Sequence, residues 1–113
     1  MEAMTARHRA TVYLRVYRDY IARLKSIPTG DTDDEVVELM ALHAEWDNVA
    51  GRVARLDEMV YAGLLEPDQI DEFGEVAREL TALLPVLREH GYWLPDLDAL
   101  ARAAARPAAA PTT

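Results

Sequence analysis

His43 and Asp47 are the residues of this sequence whose types and spacing come nearest to chemistry. Four positions apart on a helix, they share a face and can pair. Such a pair can supply two ligands to a metal ion, or an acid and a base. The surrounding pattern does not extend that chemistry. Carboxylate-bridged metal bundles use Glu-x-x-His, but Met40 and Leu87 stand three residues before His43 and His90. No His-Glu-x-x-His and no glycine-rich phosphate loop is present. The acidic cluster Asp31, Asp33, Asp34, Glu35 invites a calcium-loop reading. Counting from Asp31, however, Val36 and Leu42 occupy the places that need glycine and an acid. With no cysteine in the chain, thiolate catalysis, disulfides and Cys-based zinc sites are excluded. The sequence therefore predicts no catalytic residue, no metal and no cofactor. His43 and Asp47 read first as polar positions that fix register in a packing seam, then as a surface pair, and last as half of a ligand site.

The elements that hold this pair follow from apolar periodicity. A first helix is predicted over about 5–26, with a stripe of Ala6, Ala10, Tyr13, Tyr17, Tyr20, Leu24 and Ile27 widened by Val12 and Val16. Pro28-Thr29-Gly30 breaks it. Thr32 to Glu35 fits a capping box, which opens a helix predicted to run unbroken over about 32–62, with Gly63 as its C-cap. Pro67 suits the first position of a third helix, about 67–90, with a stripe of Ile70, Phe73, Ala77, Leu80, Leu84 and Leu87. Pro85 predicts a kink or break near residues 81–84 of that helix, and Gly91 ends it. A short helix over about 95–105 follows, with Leu97, Leu100, Ala101 and Ala104 on its apolar side. The fold class is all-α: an antiparallel bundle of three main helices plus a short C-terminal one. It forms one domain over 1–105, and the Pro/Ala-rich residues 106–113 read as a flexible tail.

The second helix carries two stripes. Leu39, Leu42, Trp46, Val49, Val53, Leu56 and Val60 alternate spacings of three and four, as bundle core positions do. Beside them run Val36, Met40, His43, Asp47, Ala50, Ala54, Asp57 and Tyr61. This second series mixes apolar, small and acidic residues. It is expected to act as an interaction seam, either against another helix of the chain or against a second molecule. Tyr92, Trp93 and Leu94 form an aromatic corner that either closes the end of the bundle or anchors a partner.

Charge is uneven along the 113 residues. Residues 1–25 hold six Arg/Lys against two acids, a balance of +4. Residues 26–66 hold ten acids against two arginines, a balance of −8. Residues 67–113 hold eight acids against four arginines, a balance of −4. A basic first helix is expected to cross-match two acidic ones. Nucleic acid is disfavoured as a partner by the net charge of −8. No apolar run approaches a membrane span and no signal-peptide pattern is present, so a cytoplasmic, soluble protein is expected. The functional expectation is a non-enzymatic protein–protein interaction module, a homodimer or a small subunit or adaptor of a larger assembly. A small acidic regulator or inhibitor docking on a basic surface stands second, and a metal- or small-ligand-binding bundle third.

Overall fold

The computed structural model describes residues 2–27 and 30–106. Among these the chain is all-α. It forms α1 (Glu2–Leu24), α2 (Asp33–Val49), α3 (Arg52–Tyr61), α4 (Pro67–Glu89) and α5 (Leu97–Ala104), with no strand. The expected break at Pro28-Thr29 and the expected tail from residue 107 lie outside the described residues.

Local chemistry explains most helix ends. Thr32 caps α2: its Oγ1 accepts from the Glu35 amide at 3.2 Å, and the Glu35 carboxylate accepts from the amides of Thr32 and Asp31. Pro67 takes the first turn of α4, and Gln69 Oε1 accepts from the Glu66 amide at 3.0 Å. Asp96 caps α5 through the Ala99 amide at 3.0 Å. α3 and α4 both end in Schellman turns. Gly63 and Gly91 take φ of 70° and 69°, and the amides of Leu64 and Tyr92 reach back to Met59 and Leu87. Of the expected kink or break near 81–84, the break does not occur: α4 continues through Pro85. The missing donor frees only the carbonyl of Thr81, and Thr81 is exposed, so water can reach it.

The expected continuous helix over 32–62 is two helices. α2 stops at Val49 and α3 starts at Arg52. Ala50 and Gly51 stay right-handed, at φ/ψ of −55°/−33° and −72°/−9°. The cause lies on another helix: the Tyr17 hydroxyl of α1 donates to the Val49 carbonyl and comes within 3.5 Å of the Ala50 carbonyl. A side chain inserted at these acceptors competes with the backbone amides one turn on. Burial pushes the Tyr17 hydroxyl pKa far above the ordinary tyrosine range, so the group remains a donor at any working pH. Gly51 contributes by its low helix propensity. A Cβ at residue 51 would meet nothing within 4 Å. Gly51→Ala is therefore expected to stabilise the fold by about 0.5–1 kcal/mol, read as a higher urea midpoint. A lower midpoint would mean that the break needs glycine.

Side-chain partners give the helix directions. Tyr20 and Arg23 of α1 meet Glu45 of α2, while Tyr17 meets Val49 further along it, so α1 and α2 run antiparallel. Arg7 meets Glu66, Arg18 meets Glu72 and Glu75, and Lys25 meets Glu79, so α1 and α4 run parallel. These ion pairs are the cross-matching expected from the charge distribution. They engage Glu72, Glu75 and Glu79 of α4. Each exposed pair adds little energy, but Arg18 spanning three glutamates sets the register of α1 on α4. α5 returns along α4 and covers the side of α3, where Arg102 pairs with Asp57 at 2.7 Å.

The core is built on Trp46, Tyr17, Phe73, Leu14, Leu56, Leu80, Leu87 and Leu100. The α1 face is turned from the expected one. Leu14 and Ile21 are buried, Tyr13 and Tyr20 sit at the edge, and Val12 is exposed. Ala10, Leu14, Tyr17, Ile21 and Leu24 keep the same spacings of three and four, which is why periodicity admits either face. On α5 the buried side is Ala99, Leu100 and Ala103, with Leu97 and Ala101 outside.

Candidate interaction surface

The outer half of α2 is apolar on more sides than the bundle can cover. Leu42 and Trp46 point into the core. Val36 is exposed, and Val37 and Met40 are 64% and 68% exposed. Across from them lies the turn that follows α4. Between the two runs an open groove of about 510 Å3, lined by Leu39, Met40, His43, Ala44 and Asp47 of α2 and by His90 and Tyr92.

The far wall of this groove is fixed by backbone chemistry. After Gly91 the chain leaves α4 without regular secondary structure until α5. The Trp46 indole Nε1 donates to the Trp93 carbonyl at 2.8 Å. His43 Nε2 lies 3.2 Å from the Gly91 carbonyl. A carbonyl only accepts, so Nε2 carries the proton in that contact. The other nitrogen, Nδ1, is 3.5 Å from Asp47 Oδ2, and Asp47 Oδ1 lies 3.5 Å from the Trp93 amide. The Tyr92 ring meets His43 edge to face at 4.7 Å. Burial pushes the Tyr92 hydroxyl pKa up, with Arg23 opposing and Asp47 adding to the rise. That hydroxyl has no hydrogen-bond partner among the described residues.

His43 and Asp47 thus brace α2 against residues 91–93 of the same chain. Their distances to each other and to this turn are those of a positioning cluster. Among the described residues no group of three His, Cys, Asp or Glu side chains is placed to hold a metal ion.

The predicted seam does not stay on one surface. Val36 and Met40 face outward, and His43 and Asp47 are half-buried at the groove. Ala50 is buried at the break. Ala54 is half-buried, and Asp57, 5% exposed, is held by Arg102 of α5. Tyr61 is exposed again, with the Arg102 guanidinium 5.9 Å from its ring. The helix break and the return of α5 divide the seam into an outer half and an inner half. The aromatic corner divides as well: Tyr92 is buried, Leu94 is half-buried and Trp93 is 66% exposed. Two residues of the surface were not anticipated. Val37 could have been found, because Val36, Val37, Leu39, Met40, Ala41 and Leu42 are apolar on nearly every side of the helix. His90 had no such signal, since only the turn at Gly91 brings it beside Met40.

No protein-family model, curated protein or solved structure matches this chain. The function must therefore be argued from the surface itself.

Proposed function

We propose that this protein is a non-enzymatic interaction module that binds another polypeptide through the outer face of α2 and the groove beside it. One observation carries the reading. Val36, Val37 and Met40 form an exposed apolar patch that joins the groove through Met40, and the exposed Trp93 directly follows the groove residue Tyr92 in the chain. Large apolar side chains grouped in this way mark contact surfaces, and an aromatic at the rim is a common anchor. On this reading the chain is a small acidic subunit or adaptor working in the cytoplasm, and the occupant of the face is a larger protein or a second copy. None of the described helices is long and apolar enough to cross a membrane. The inner half of the seam gives self-association less support than the outer half, because Ala50 is covered and Asp57 is paired within the chain.

The test is the double variant Val37→Glu/Met40→Glu. Both positions are exposed, so the helical circular-dichroism signal should be retained. Solution mass by light scattering and affinity capture from host cells, each compared with the native chain, should show the native associations lost. A folded variant that keeps its mass and its captured proteins would remove this face from the function.

A further inference from the structure

The charges around the groove narrow its occupant. Taking α2 at 100° per residue, Asp33 and Asp47 lie on the same side as Val36, Met40 and His43, and Asp34 lies beside Val37. Asp33 and Asp34 are exposed in the first turn of α2. Asp47 closes the other end of the patch, about 21 Å away at 1.5 Å per residue. The groove lining itself includes no lysine or arginine. The positive end of the helix dipole offsets about half a charge, against three carboxylates in the first turn, Asp33, Asp34 and Glu35. An apolar groove along about two turns of α2, prolonged toward Asp33 and Asp34 by the exposed Val36 and Val37 and closed by Asp47 at its other end, has the complement of an amphipathic helix carrying basic residues.

We propose that the groove receives a cationic amphipathic helix from another protein, an inference that rests on the docking reading above. Its apolar side lies on Val36, Met40, Ala44 and Tyr92. Its lysines and arginines face Asp33 and Asp34 at one end and Asp47 at the other. The Trp93 amide, 3.5 Å from Asp47 Oδ1, fixes that carboxylate at the end of the groove. A second copy of this chain fits less well. Residues 26–66 carry a balance of −8, and a face-to-face dimer would bring two such segments within the ~10 Å over which charges act at 0.1 M salt.

The experiment uses the full chain and three labelled synthetic peptides of 18 residues. One has leucines at helical spacing flanked by lysine and arginine. The second replaces the basic residues by glutamate. The third scrambles the first to abolish its amphipathicity. Fluorescence anisotropy should show binding of the first peptide only, weakening about tenfold or more as salt rises from 50 to 300 mM. Asp33→Asn/Asp34→Asn should weaken it about fivefold or more, and so should Met40→Ser. The charge-matched control Asp19→Asn/Asp68→Asn, on α1 and α4, should change it less than about twofold. Equal binding of the scrambled peptide, or an equal loss in the control, would reduce the effect to net charge and overturn the proposal. A solution mass that doubles, and does so more readily at high salt, would overturn it in favour of a second copy. Absence of peptide binding while Val37→Glu/Met40→Glu still removes native associations would overturn the cationic helix and leave the docking face standing.

Discussion

Trp46→Ala should cost about 3–5 kcal/mol of folding stability, read from urea unfolding. Trp46 is fully buried, and the rings of Tyr17 and Tyr20 pack edge-on against it at centroid distances of 6.1 and 6.0 Å. It therefore joins α2 to α1. Its Nε1 also joins α2 to the turn after α4 by donating to the Trp93 carbonyl. Removal leaves a cavity and an unpaired carbonyl together, and these costs add. A domain of this size holds only about 5–15 kcal/mol in all, so the variant should be partly unfolded at modest urea concentrations. Trp46→Phe separates the two costs. Most ring contacts persist while the hydrogen bond and part of the ring volume go, so its loss should be nearer ~1–2 kcal/mol. That variant should also loosen residues 91–93, visible as faster amide exchange there. If alanine costs less than about 1 kcal/mol, Trp46 is not the junction described.

The helix ends were legible because the chemistry that sets them is local. Thr32 and Glu35, Pro67, Gly63 and Gly91 each lie within a few residues of the group they satisfy. The core face of α4 and the core positions Leu42, Trp46, Val53 and Leu56 were legible because their apolar residues recur at alternating spacings of three and four. What the sequence concealed depends on residues far apart in the chain. The break at Ala50–Gly51 is made by a hydroxyl 32 residues earlier. Asp57 belongs to the second stripe, and its partner Arg102 on α5 stands 45 residues on. The candidate surface shows the same division. The stripe of Val36, Met40, His43 and Asp47 was visible as a period, but its opposite wall was not. Tyr92 is buried and the next residue, Trp93, is 66% exposed. The buried Tyr92 packs against His43, and periodicity carries no record of that contact.

The second large effect is expected at Gly74→Leu. α5 has only eight residues and buries three of them, Ala99, Leu100 and Ala103. A helix this short has little stability of its own and depends on close approach to its neighbours. Gly74 permits that approach on α4. A Cβ built there would lie 3.4 Å from the Ala103 carbonyl oxygen and 3.4 Å from Arg78 Nη1. Arg78 in turn donates to the Arg106 carbonyl at 3.1 Å, tying down the end of α5. Alanine at residue 74 should be nearly neutral, because the tight contact is offset by about 1 kcal/mol of helix propensity. Leucine adds three further carbons where α5 now lies. Relief requires α5 to move, which displaces Leu100 from the core and the Arg102 guanidinium from Asp57. The expected loss is about 2–3 kcal/mol, with amide protection falling in α5 well before α1 or α4. If leucine is accepted with α5 still protected, then α5 is held from its other side, by Arg102 on Asp57. Arg102→Ala should in that case release α5 where Gly74→Leu does not.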